Sequence, residues 1–172
     1  ICVDQSASNG VRIVQNQISK DNANFTMRVA VKNEGKLTIN VKDKEGRIIA
    51  SKEKIVANSN KTQFVEIPFS VKKPHLWNGR KDPYLYTAEI EYGEDFIKQN
   101  FGLRYYEVDA QNRFWLNGEL LQLRGVGRHQ DFSNIGNAIY RHQMEIDMQL
   151  MLETGVNAGR LTHYPHDPYF LE

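Results

Sequence analysis

The residues best suited to chemistry gather late in the chain. Arg124-Gly125-Val126-Gly127-Arg128-His129-Gln130-Asp131 leaves one apolar run, and Asn157-Ala158-Gly159-Arg160-Leu161-Thr162-His163-Tyr164-Pro165-His166 carries and leaves another. Imidazole and guanidinium groups at the ends of such runs can hydrogen-bond a polar, hydroxyl-rich ligand. His129, Arg160 and His163 are therefore the candidate binding set, and plain surface-loop residues are the bland alternative. His163-x-x-His166 has the spacing of two metal ligands on a turn, but no Cys or further His completes a set and Pro165 argues against a helix there. No metal site is expected. A catalytic acid–base pair is not visible either: Glu145, Glu153 and Glu172 are scattered and none sits in a distinctive motif. No Gly-rich phosphate loop, nucleophile elbow or CxxC pair is present. Trp77 and Trp115 could stack on sugar rings, although each is the kind of residue that anchors a core.

The elements that must position these groups follow from periodicity. Phe25, Met27, Val29 and Val31 alternate with polar residues, as do Leu37, Ile39 and Val41; Val65 to Val71; and Tyr84 to Tyr92. A period of two places one face of each run in a core and the other in water. Weaker strands are expected at Arg12–Ile18, Arg47–Lys52 and Phe96–Asn100. Asn33-Glu34-Gly35, Glu45-Gly46 and Gly93-Glu94 supply turns. About seven short strands at this spacing predict an immunoglobulin-like β-sandwich. Pro68 inside a run predicts an edge strand or a bulge. After about Asn100 the character changes. Asn117-Gly118 between Arg113–Leu116 and Leu120–Leu123 is a hairpin signal, and a strand is expected at Leu121–Val126. A helix follows over Arg141–Thr154, with Met144, Met148, Met151 and Leu152 on one face as core and Gly155 as its terminator. Asp147, a charge within that Met-rich stretch, is expected to pair with an Arg or to cap a neighbour, pairing being the favoured role. A second strand at Val156–Leu161 completes a strand–helix–strand unit, the opening of a parallel α/β domain. In such folds ligands bind where the strands end.

The totals bound the function. Lys and Arg number 22 against 21 Asp and Glu, a net charge of +1, which provides no field for nucleic acid or an anionic membrane surface. No apolar run approaches a membrane span. The single cysteine, Cys2, cannot form an internal disulfide and leaves the compartment open. Neither end has the pattern of a natural terminus, so both read as cuts through a longer protein.

Four ordered motifs carry a resemblance. Phe101-Gly102-Leu103-Arg104, Asn117-Gly118, Leu123-Arg124-Gly125-Val126-Gly127-Arg128-His129 and Asn157-Ala158-Gly159-Arg160-Leu161-Thr162-His163-Tyr164-Pro165 together resemble glycoside hydrolase family 2. Leu76-Trp77-Asn78 with Pro83-Tyr84-Leu85-Tyr86 is similar to the end of that family's immunoglobulin-like domain. The resemblance implies a layout: a sandwich domain over residues 1–100, then the first β/α units of a truncated TIM barrel over 101–172. It implies a retaining β-glycosidase acting through two glutamates, most readily a β-galactosidase, with β-glucuronidase and β-mannosidase as alternatives. Neither glutamate motif occurs here, so the chain alone is expected to be inactive. His129 and His163 would line the sugar subsite, and Arg160 would orient the nucleophile. No cofactor is implied for this stretch, and nothing in it supports a divalent cation. The implied partner is carbohydrate, with self-association of the exposed barrel segment. Three positions depart from the family pattern: Gly159 replaces a bulky apolar residue, Thr162 a small Ser or Cys, and Gln130 an acid. The rival from another class is a non-catalytic β-sandwich module that binds carbohydrate or protein. It accounts for residues 1–100 but not for the Arg- and His-rich strand ends.

Overall fold

Seven alternating runs become seven strands: β1 Val11–Ile18, β2 Asn22–Val31, β3 Gly35–Lys42, β4 Ile48–Val56, β5 Gln63–Lys72, β6 Tyr86–Tyr92 and β7 Asp95–Phe101. They come from a computed structural model that describes residue 1 and residues 9–171; Cys2 and Glu172 lie outside the described residues. Two antiparallel sheets form, one in the order β1-β2-β5 and the other β4-β3-β6-β7. The inward residues are those the alternation selects. Phe25, Met27 and Val29 of β2 meet Leu37, Ile39 and Val41 of β3, with Val65, Ile67 and Phe69 of β5 and Ala88 and Ile90 of β6 closing the core. Phe25 stacks on Phe69 and tilts against Phe101, with ring centroids 5.6 and 5.4 Å apart. This is an immunoglobulin-like sandwich.

Pro68 is accommodated because β5 is an edge strand; its register with β2 runs unbroken past Thr26↔Pro68, so there is no bulge. β4 runs on to Val56, beyond the expected Lys52, because β3 offers it partners as far as Gly35↔Val56. β6 starts at Tyr86 instead of Tyr84. Tyr84 turns aside to stack on His75, with centroids 3.9 Å apart, and its hydroxyl accepts the Lys44 N–H.

A small sheet of β8 Tyr106–Val108, β9 Phe114–Leu116 and β10 Glu119–Leu120 follows, in the order β10-β9-β8. Asn117 and Gly118 join β9 to β10, both at positive φ of 53° and 79°, as a tight hairpin turn demands. Asn117 does more than turn. Its Nδ2 donates to the Trp77 carbonyl at 2.9 Å, and its Oδ1 accepts the Tyr105 N–H at 3.2 Å. The Phe101-Gly102-Leu103-Arg104 motif is explained nearby. A Cβ on Gly102 would stand 2.8 Å from the Trp77 Cβ, and Trp77 N–H donates to the Leu103 carbonyl. Trp77 is thus an internal anchor, with the Arg104 guanidinium over its ring at 5.1 Å.

The remaining elements are β11 Gly125–Arg128, α1 Arg141–Glu153, β12 Ala158–Leu161 and α2 Pro168–Leu171. β11 and β12 pair in parallel, Gly125↔Ala158 through Arg128↔Leu161. This is the start of a barrel domain and not a closed barrel. Both strands begin later than Leu121 and Val156. Residues 122–124 are held by a side chain instead of a ladder: Asn157 Oδ1 accepts the Arg124 N–H at 2.7 Å, and its Nδ2 donates to the Gln122 carbonyl at 3.0 Å. The helix ends through Thr154, and Gly155 takes positive φ as expected. The methionine face is only partly core: Met144 is buried, but Met148 and Leu152 are about two-fifths exposed, because β11 and β12 cover only part of the helix. The chain divides into two compact units, residues 1–107 with 115–119, and residues 108–114 with 120–172.

Both tryptophans lie in the first unit, so their emission follows its unfolding in urea. Ile39→Ala, at a fully buried site, is expected to lower stability by ~2–5 kcal/mol. Ile55→Ala, at a site 75% exposed, is expected to change it by no more than ~0.5 kcal/mol. Equal effects would contradict the assigned core.

Candidate functional site

Because β11 and β12 are parallel, they end on the same side, β11 at Arg128 and β12 at Leu161. His129 leaves the first end, and Thr162-His163 leaves the second. The structure brings the two histidines together: their rings stand edge to face with centroids 5.4 Å apart, and both are exposed. Arg160 lies opposite Gly127 in the register. Side chains alternate across a sheet, and Arg128 reaches α1, so Arg160 stands on the face away from that helix. Its guanidinium is exposed and makes no hydrogen bond or ion pair with the described residues. A Cβ on Gly159 would meet nothing within 4 Å, so this glycine leaves open space on the helix side.

Beneath the histidines lies a buried polar cluster centred on Arg128, which is 4% exposed. Its Nε donates to Asp147 Oδ2 of α1 at 2.8 Å, and its Nη2 lies at the same distance from that oxygen. Its Nη1 is 2.8 Å from His166 Nδ1. A guanidinium only donates, so Nδ1 is the acceptor and the His166 proton sits on Nε2, 3.2 Å from the Thr162 carbonyl. Both nitrogens of His166 are therefore committed to protein partners, which takes it out of the two-histidine metal reading. Phe170 of α2 covers the cluster, its ring centroid 3.8 Å from the Arg128 guanidinium carbon. The Arg128 carbonyl accepts from both Thr162 N–H and Thr162 Oγ1, each at 3.0 Å. The Thr162 hydroxyl thus adds a bond inside the cluster, one that a serine hydroxyl could supply equally.

Gln130 serves the same loop. Its Oε1 accepts the Asp167 N–H at 2.7 Å, and its own N–H donates to the Tyr164 hydroxyl at 3.1 Å. That role needs only an acceptor, which an amide oxygen provides as well as a carboxylate would. Reading the sequence for substrate-facing groups passed over Arg128 and Thr162. The available signal was Asp147, a carboxylate within the Met-rich stretch of the helix that calls for a cation.

Tyr169 ties α2 to α1. Its hydroxyl donates to Glu145 Oε1 at 2.5 Å, with the Arg141 guanidinium carbon 4.7 Å from its ring centroid. The hydrogen bond to Glu145, then burial, then the carboxylate's charge push the phenol above its ordinary value, against the pull of Arg141.

The comparisons with known proteins agree with this architecture. The family described as "Glycosyl hydrolases family 2" matches residues 9–104, and "Glycosyl hydrolases family 2, TIM barrel domain" matches residues 107–172. The chain belongs to glycosyl hydrolase family 2. A β-glucuronidase of Bacteroides fragilis is 37% identical over 96% of this chain and 25% of its own length. The Bacteroides ovatus β-galactosidase BoGH2A is 27% identical over 95% of this chain and 20% of its own. The structure of Bacteroides uniformis β-glucuronidase 2 covalently bound to cyclophellitol-6-carboxylate aziridine superposes with a TM-score of 0.86 at 28% identity, covering 95% of this chain and 21% of that one. The chain therefore spans a quarter or less of the length of these relatives.

A tyrosine whose folded value is raised contributes stability in full below its unfolded value, about pH 10, and loses it as pH rises through the folded value. The Tyr169–Glu145 tether is therefore expected to hold at neutral pH and to release in alkali. Tyr169→Phe should remove one late-titrating phenol from the phenolate difference absorbance. An unchanged late-titrating phase would contradict the assignment.

Proposed function

We propose that this chain contributes the sandwich, residues 1–100, and the opening of the catalytic barrel, residues 101–172, to a retaining β-glycosidase. The observation that carries the reading is the pair of exposed imidazoles, His129 and His163, at the C-terminal ends of two adjacent parallel strands. That is where barrel enzymes gather their substrate groups. A sandwich that only binds has no need of such strand ends. In this reading the two imidazoles hydrogen-bond sugar hydroxyls and strengthen those bonds as the oxocarbenium-like transition state forms. Arg160, free of ion pairs with the described residues, holds the nucleophilic carboxylate by charge-assisted bonds. The acid/base and nucleophile glutamates come from other strands of the whole protein. Retention is supported by the covalent adduct of the B. uniformis relative, since only a nucleophilic mechanism forms a bond to the enzyme.

Two sugars stand as readings. β-Galactoside is the one expected from the sequence motifs, and BoGH2A shares that name. β-Glucuronide is favoured by the names of the B. fragilis and B. uniformis relatives, which align along almost the whole chain.

The whole protein, assayed on p-nitrophenyl β-glucuronide and β-galactoside with anomer detection by NMR, is expected to hydrolyse one of them and to release the β-anomer first. His163→Ala is expected to lower kcat/KM by ~10²–10³. Release of the α-anomer first would overturn the reading of a retaining enzyme, and hydrolysis of neither glycoside would overturn both sugar readings. The 172-residue chain alone is expected to show no turnover, because two parallel strands cannot close a barrel. Turnover by the purified fragment would refute that.

A further inference from the structure

We infer that Arg128 is a positioning residue that sets the His129–His163 pair from below while touching no substrate itself. The inference rests on the reading of those histidines as the sugar-facing groups. It arises from how one residue holds both sides of the site. The residue after Arg128 in the chain is His129. Across the strand end, the Arg128 carbonyl fixes Thr162 through two hydrogen bonds, each at 3.0 Å. Its guanidinium fixes His166 at 2.8 Å, and His166 closes back on the Thr162 carbonyl at 3.2 Å. The segment from Thr162 to His166 is thus a loop pinned at both ends to the same residue, and His163 is the first residue inside it. Any tilt of Arg128 moves one histidine through the chain and the other through the loop.

The chemistry requires arginine. Three directions must be satisfied at once: the Asp147 carboxylate, the His166 Nδ1 lone pair and the face of Phe170. A planar fork with donors on several edges and a stacking face does this; a lysine ammonium has no plane to stack and no fork to share. Asp147 balances the charge, so Arg128 adds little net field to the site. Its contribution to turnover is then geometric and is realised through the histidines.

The test is a double-mutant cycle in the whole protein, on whichever p-nitrophenyl glycoside it hydrolyses. Arg128→Met keeps the stem length and removes the fork; His166→Leu removes the loop's far anchor and leaves the Arg128–Asp147 pair in place. Each is expected to lower kcat about 100-fold with KM changed by no more than about threefold, the signature of displaced reacting groups. Arg128→Lys is expected not to rescue. Combined with His163→Ala, His166→Leu should cost almost nothing beyond His163→Ala alone, and Arg128→Met almost nothing beyond the His129→Ala/His163→Ala pair, because the groups they position are gone. Soluble, cooperatively unfolding Arg128→Met or His166→Leu protein with kcat within about twofold of the parent would overturn the inference. So would losses that simply multiply with those of the histidine variants. If His129→Ala and His163→Ala both leave kcat/KM unchanged, the underlying reading of the histidines fails instead, and the cycle separates that outcome from failure of the inference. Should Arg128→Met not fold, the His166→Leu cycle decides alone.

Discussion

A guanidinium taken out of water is the constraint on which the second unit depends. Arg128 lies at the end of β11, on the face that α1 covers. Breaking a buried ion pair of this kind costs ~3–5 kcal/mol, mostly through the charge left behind. The helix must therefore present a carboxylate at one register, and Asp147 is that residue. Once the pair is set, a further guanidinium nitrogen and the face of the ion find partners in His166 and Phe170. Three segments distant in sequence are thereby fixed by the demands of one side chain. Apolar packing alone would not do this, since β11 and β12 are short and the helix face above them is only partly covered.

The first unit answers a different constraint, the close approach of backbone to an aromatic ring. Gly102 lies against Trp77 with no room for a Cβ. The surrounding backbone is then held by side chains: Gln15 donates to the Gly102 carbonyl and accepts from Arg104 N–H, while Asn117 bridges Trp77 and Tyr105. Motif residues that read as signatures in the sequence are here the groups that satisfy main-chain donors and acceptors where no regular ladder does.

What could be read from the sequence divides along the same line. The sandwich was legible because period two is a one-dimensional pattern; Phe25, Leu37, Val65 and Ile90 announce their faces without knowledge of their partners. The edge position of β5 was legible from Pro68, and the helix and its glycine terminator from spacing. The start of β11 was not. Leu121 and Leu123 continue an apolar alternation, but Asn157 intercepts the backbone at Gln122 and Arg124, and that contact spans a helix. The extent of cover over the methionine face was not legible for a related reason: periodicity identifies an apolar side but not how much of it a neighbour covers. For the site, His129, His163 and Arg160 were visible as residue types at strand ends. The support beneath them was not, since pairing Arg128 with His166 requires knowing that the loop after β12 folds back under its own strand.

That support also bears on how a site of cations can remain selective. Of the basic groups near the strand ends, Arg128 is matched by Asp147, and His166 carries its proton toward a carbonyl. Gln130 holds the Asp167 turn with an uncharged oxygen. The cluster below the histidines is thus balanced in charge, with the Arg128 Nη2 in ion-pair range of Asp147 but without a hydrogen bond, and it adds little net charge at the strand ends. The charge that faces outward belongs to Arg160, on the opposite face of the sheet. Geometry and field are therefore carried by different residues. The buried set fixes where the imidazoles stand, and the exposed guanidinium supplies the one permanent positive charge of the candidate set. A substitution in the buried set would disturb alignment without altering the charge that a sugar or a carboxylate meets, whereas a substitution at Arg160 would do the reverse.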